Sequence, residues 1–149
     1  MLKGIPPLIS PEFMAILMRM GHGDEIVLAD GNFPADSHSQ RIVRCDGHGV
    51  PAVLNAILPF FPLDQFVDDA AFVMQPVDDD SVSPVIWNEF QMLVDQYEPA
   101  GRFSLLPLER FAFYDRARCA YAIVATGESA VYANLILKKG VVLPQDSVN

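Results

Sequence analysis

His22 stands between two glycines in the stretch Met20-Gly21-His22-Gly23-Asp24-Glu25-Ile26-Val27-Leu28-Ala29-Asp30. Glycines let the backbone turn sharply and leave the imidazole uncrowded. Imidazole is the natural acid and base near neutral pH, and a carboxylate such as Asp30 can orient it or act as its counterpart. Residue types alone equally allow plainer roles, with His22 capping a helix end and Asp30 opening a turn. A second group is Gly127-Glu128-Ser129-Ala130-Val131-Tyr132-Ala133-Asn134. The Tyr132 phenol and the Asn134 amide both donate and accept hydrogen bonds, which suits a ligand rich in hydroxyls. The plainer role there is a hairpin turn with a packed tyrosine. A third is Glu109-Arg110-Phe111-Ala112-Phe113-Tyr114-Asp115-Arg116, where Phe111 and Tyr114 share a helix face and Asp115 and Arg116 point outwards. This reads as an amphipathic helix, in which Arg110 could also clamp a ligand oxygen, because its planar fork matches paired acceptors.

Other chemistries lack their residues. The only histidines are His22, His38 and His48, with Asp24, Glu25, Asp36 and Asp46 near them in sequence. No H-x-H or H-E-x-x-H spacing occurs, so no metal is expected. Gly47-His48-Gly49 is followed by no phosphate-loop lysine, and no G-x-S-x-G nucleophile elbow is present. The formal charge of −9 opposes binding to nucleic acid, whose phosphates need a basic patch, and to anionic membrane surfaces.

The elements that must position these groups alternate between helix and strand. Ser10-Pro11-Glu12 starts a helix with a capping hydroxyl, a proline at the first position and an acid near the positive end of the dipole. Phe13, Ile16, Leu17 and Met20 recur at helical spacing, with Gly21 as the stop. Met14, Ala15 and Met18 make the opposite face apolar too, so the second side calls for a cover such as a partner subunit. Glu25–Ala29, Arg41–Cys45, Ala71–Met74, Phe103–Leu106, Tyr121–Ala125 and Ala133–Leu137 read as short strands. Pro51–Leu58, a segment opening at Ser83-Pro84, and Leu108–Ala117 read as helices. Asp78-Asp79-Asp80 reads as a solvated loop, and Thr126–Ser129 as a turn. The pattern is that of an α/β layer fold.

A chain of 149 residues, about half of them apolar, suits one domain spanning 1–149. Cys45 and Cys119 form no C-x-x-C pair, which favours reduced thiols in the cytoplasm. The N-terminus lacks the apolar core and cleavage site of a signal peptide, and no apolar run is long enough to span a membrane.

Taken in order, three stretches resemble the L-fucose mutarotase / D-ribose pyranase family. They are Met20–Pro34, Leu108–Ala117, and Ala125–Glu128 continuing through Tyr132-Ala133-Asn134-Leu135-Ile136-Leu137-Lys138-Lys139-Gly140. The opening Leu2-Lys3-Gly4-Ile5-Pro6 is similar as well, so the likeness spans nearly the whole chain. The resemblance implies a three-layer α/β/α sandwich that interconverts monosaccharide anomers without metal or cofactor. It also implies ring-shaped homo-oligomers with active sites at subunit interfaces. It marks His22 as the catalytic acid, and Asp30, Arg110, Tyr132 and Asn134, with the backbone at Ala133, as sugar-binding positions. In the expected chemistry His22 moves the proton, Asp30 orients it or holds a hydroxyl, and Tyr132 assists from the other side. Fucose-type members usually carry glycine where Ala133 stands, whereas the ribose branch carries alanine. Arg110 matches the fucose branch, where the ribose branch has histidine. Asn32 and Asp36 occupy positions that are histidine in some bacterial members. The expected function is L-fucose mutarotation. The alternatives are a D-ribose pyranase or a non-catalytic monosaccharide-binding protein of the same fold.

Overall fold

The structure is a computed structural model that describes residues 1–77 and 83–144; the acidic run Asp78-Asp79-Asp80 lies outside the described residues. Its elements are α1 (Pro11–Arg19), β1 (Glu25–Ala29), α2 (Ala35–His38), β2 (Ile42–Cys45), α3 (Val50–Ile57) with a 3-10 turn (Leu58–Phe60), β3 (Ala71–Met74), α4 (Ile86–Tyr97), β4 (Leu106–Leu108), α5 (Arg110–Cys119), β5 (Ala122–Thr126) and β6 (Leu135–Lys138). Helix α1 begins as its residues dictate, with the Ser10 hydroxyl accepting from the Phe13 amide at 3.1 Å.

The six strands form one sheet in the order β2-β5-β1-β6-β3-β4. Strand β6 runs antiparallel to both of its neighbours, β1 and β3, and the remaining pairs are parallel. Period-two alternation sends Ile26 and Leu28 of β1 to one face and Val27 and Ala29 to the other. The first face packs under α1, α3 and α4 through Phe13, Leu17, Leu54, Trp87, Phe90 and Val94. The second packs under α2 and α5 through Phe33, Ala35, Phe113 and Ala117. This is the expected three-layer α/β/α arrangement. It gathers the C-terminal ends of β1 to β5 and the N-terminal end of β6 along one edge of the sheet.

Several expectations are corrected. The strand expected at Phe103–Leu106 lies at Leu106–Leu108. Pro107 is tolerated there because β4 is an edge strand. Phe103 is instead buried in the core, and its carbonyl accepts from Gln91 Nε2. The helix expected from Leu108 starts at Arg110, because the Glu109 carboxylate caps it by accepting from the Phe111 and Ala112 amides. Arg116 does not point outwards: it is half-buried, forks onto Glu25 at 2.6–3.1 Å and lies 3.7 Å over the Phe72 ring. No hairpin joins β5 to β6, since β1 lies between them. The second side of α1 is only partly bare: Met14 and Ala15 are half-buried, and Met18 is exposed.

The β5–β6 connection must therefore cross over the end of β1, and Gly127 passes so close to β2 that a Cβ would strike the Asp46 carbonyl oxygen. Gly127→Ala is expected to cost about 3 kcal/mol, roughly 6–12 °C in Tm. Gly47→Ala, where a Cβ meets open space, should shift Tm by less than about 2 °C. Thermal melts followed by circular dichroism check both; equal melts for the two variants would contradict the close passage.

Candidate active site

Four of the expected site residues meet where β1, β6 and the start of α5 reach the same edge. A cavity of about 300 Å³ there is lined by Asp30, Asn32, Phe33, Met74, Val77, Arg110, Tyr114, Val131, Tyr132 and Asn134. Asp30 ends β1 and Asn134 precedes the antiparallel β6, so 104 residues of sequence separation vanish into one contact. The Asp30 amide donates to Asn134 Oδ1 at 2.8 Å, and Asn134 Nδ2 donates to Asp30 Oδ2 at 2.8 Å. The Asn32 amide donates to Asp30 Oδ1 at 3.0 Å. Nearby, Thr126 Oγ1 donates to the Ala29 carbonyl, and the Gly31 amide donates to the Glu128 carbonyl. These bonds pin the loop after β1 to the loop after β5.

Burial raises the Asp30 carboxyl above its ordinary range, and hydrogen bonds from Asn32, Asn134, Phe33 and Ala133 pull the other way without cancelling it. Arg110 opens α5 with its guanidinium beside the Phe111 and Tyr114 rings, at 5.8 and 5.7 Å. It makes no ion pair among the described residues. Its donors are thus available to a ligand.

Tyr132 has φ of +57°, the single positive value among described residues other than glycine. A left-handed L-residue costs roughly 1–3 kcal/mol and persists only where its surroundings hold it. The Tyr132 hydroxyl accepts from the Val77 amide at 3.3 Å, and its carbonyl accepts from Trp87 Nε1 at 2.9 Å. Ala133 is fully buried in the core on the α4 side, and its methyl is not part of the cavity wall. The choice of alanine or glycine at this position therefore leaves the lining unchanged.

His22 is elsewhere. It precedes β1, whereas Asp30 follows it, and five strand residues alone hold the two ends about 16 Å apart. Gly23 has φ of +84°, a conformation glycine adopts freely, and its amide donates to the Lys139 carbonyl. That turn leaves the His22 side chain 48% exposed, with Nε2 at 3.0 Å from Oδ1 of the buried Asp64. The exposed Phe66 ring stands edge-on to the imidazole. Burial pushes the Asp64 carboxyl up, but the Phe66 amide, the His22 ring and the Lys138 charge bring it below its ordinary value. Asp64 therefore stays ionised and takes the orienting role for which Asp30 was the sequence's candidate. Sequence reasoning missed it, because 42 residues separate it from His22 and no motif links them. Asn32, Tyr114 and Met74 were likewise not read as lining. Among the described residues no three His, Cys, Asp or Glu side chains are grouped to hold a metal.

Comparison with known proteins places this arrangement. A sequence model of the RbsD / FucU transport protein family matches residues 3–142. A fucose mutarotase of Bos taurus is 49% identical over 151 aligned residues, covering 97% of each chain. The crystal structure of the fucose mutarotase in complex with L-fucose from Streptococcus pneumoniae superposes with a TM-score of 0.89 at 46% identity, covering 95% of this chain and 100% of that one. The structure of FucU from Bifidobacterium longum gives a TM-score of 0.90 at 50% identity with the same coverage.

The Asp30 bridge has a titratable consequence. Asn134 stabilises the charged form of Asp30, so Asn134→Ala should raise the Asp30 pKa further above its ordinary range. A raised carboxyl binds its proton more tightly folded than unfolded. Its contribution to stability is therefore full below the unfolded pKa and is lost as pH rises through the folded one. Carbon-13 titration of the aspartate carboxyls reads the shift directly; an unchanged or lowered Asp30 in Asn134→Ala would contradict the bridge.

Proposed function

Since the chain belongs to the RbsD / FucU transport protein family, we propose that it interconverts the α and β anomers of L-fucose, acting as an isomerase. The hydrogen-bonded Asp30–Asn134 pair inside the cavity is the observation that carries this reading. The Asp30 carboxylate, the open Arg110 fork and the Tyr132 phenol offer donors and acceptors for sugar hydroxyls. Phe33, Met74 and Val131 give the same cavity an apolar side, which suits the methyl group of a 6-deoxy sugar.

Mutarotation breaks the bond between the ring oxygen and the anomeric carbon and re-forms it on the other face of the carbonyl. The ring oxygen must gain a proton and the anomeric hydroxyl must lose one; closure reverses both transfers. An acid and a base, each worth about 10²–10⁴-fold, suffice. In this reading His22 carries the proton. With ionised Asp64 accepting from Nε2, the imidazole presents Nδ1 to the sugar. Asp30, Asn134 and Arg110 fix hydroxyls, and Tyr132 assists.

His22 and the cavity lie at opposite edges of the sheet in one chain, so the working site takes its two halves from two copies. Joining the His22 edge of one subunit to the Asp30 edge of the next is a head-to-tail contact, which closes into a ring where the rotation allows. This is a stronger reason for self-association than the outer face of α1. The reading includes a cytoplasmic location. It fits the unpaired thiols of Cys45 and Cys119, and no helix among the described residues is long and apolar enough to cross a membrane.

Saturation-transfer NMR on reducing sugars tests the activity. Exchange between L-fucose anomers should be accelerated more than pyranose–furanose exchange of D-ribose. The reverse order would identify a ribose pyranase, and binding without exchange a sugar-binding protein. Subunit mixing tests the shared site. His22→Ala and Asp30→Asn should each fold and each lose most of the exchange. Co-expressed in equal amounts, they should regain about one quarter of wild-type activity, because one interface in four pairs two intact halves. No recovery would place both halves within one subunit.

A further inference from the structure

Tyr132 stands in the cavity wall in a conformation its own chemistry disfavours, and the group holding it comes from the other side of the sheet. We propose that Trp87 is a positioning residue for the sugar site: its indole N–H holds the Tyr132 carbonyl and so fixes the left-handed turn that sets where the phenol stands. Trp87 lies in the first turn of α4, buried in the core layer, with Nε1 at 2.9 Å from the Tyr132 oxygen. An indole N–H can only donate, and a buried donor must find an acceptor. The Tyr132 carbonyl is that acceptor.

The segment after Tyr132 is already fixed, Ala133 by burial and Asn134 by its two bonds to Asp30. The segment before it is anchored at Ala130, whose amide donates to Glu128 Oε1, while Val131 is exposed. Between these anchors, the peptide after Tyr132 can rotate towards the commoner extended conformation unless its carbonyl is held. The Val77 amide restrains only the far end of the side chain, at 3.3 Å. Trp87 thus ties the site to the rigid α4 layer without touching the cavity, since it is absent from the lining. This rests on the reading of Tyr132 as a sugar-contacting residue.

The test uses the full-length protein. Trp87→Phe keeps an aromatic ring in the core and deletes the N–H. Because Trp87 is the sole tryptophan, its replacement by β-(3-benzothienyl)alanine, a sulfur isostere without the N–H, is site-specific. In both proteins kcat/KM for L-fucose should fall about fivefold, the effect of one neutral hydrogen bond on the placement of Tyr132. The backbone carbon shifts of Tyr132 should move from left-handed towards extended values. A core-packing role alone would lower Tm and leave both readouts in place. Wild-type kcat/KM and wild-type Tyr132 shifts in the isostere-containing protein would overturn the proposal, even if Trp87→Phe failed to fold. If the unaltered protein neither binds nor exchanges L-fucose, the functional reading fails, and the Tyr132 shifts still decide whether Trp87 holds the turn.

Discussion

A carboxylate at the buried end of a strand must either be hydrogen-bonded or lose its charge, and the candidate site is built around that requirement. Asp30 is 6% exposed. The Asn134 amide and the Asn32 backbone satisfy its two oxygens. For Asn134 to arrive there, β6 must run antiparallel beside β1, with Leu28 opposite Leu135. Strand β5 takes the other side of β1, and the β5–β6 connection crosses over the strand end through Gly127. Tyr132 enters the cavity on that same connection. The buried acid thus sits where the crossing loop, the neighbouring strand and the phenol meet.

The length of β1 sets the second constraint. A strand that carries His22 before it and Asp30 after it cannot bring them together, however the loops fold. Each edge of the sheet is completed locally instead. The His22 edge gains Asp64 as its orienting carboxylate, and the Asp30 edge gains Asn134, Arg110 and Tyr132. The cavity lies at the Asp30 edge, where the His38 ring packs against its lining residues Phe33 and Tyr114, and His22 stands at the opposite edge. Under the proposed function, proton transfer and sugar recognition fall on two surfaces of one subunit, and the proposal therefore joins assembly to chemistry.

The polar groups of the cavity are held by residues outside its lining. Thr126 holds the end of β1 through the Ala29 carbonyl, Glu109 caps α5 beneath Arg110, and Trp87 holds Tyr132. Such supports keep a site preformed, so that binding does not have to order it.

Local elements and the chemical inventory were legible in the residues alone. Ser10-Pro11-Glu12 starts α1, and apolar runs mark Glu25–Ala29 and Ala71–Met74 as strands, because capping and burial patterns act over a few residues. His22, Asp30, Arg110, Tyr132 and Asn134 were nameable through the family resemblance, since short motifs survive as written. Elsewhere, local pattern misplaced boundaries. Phe103 reads as part of a strand but is buried in the core ahead of it, and Pro107 sits in β4 only because that strand is an edge. Arg116 reads as a surface charge until Glu25 and Phe72 are seen beneath it. The partner of His22, the bridge from Asp30 to Asn134 and the indole behind Tyr132 were decided by tertiary structure alone. Each joins residues 42 to 104 positions apart, and strand order, which no local periodicity encodes, determines which distant segments become neighbours.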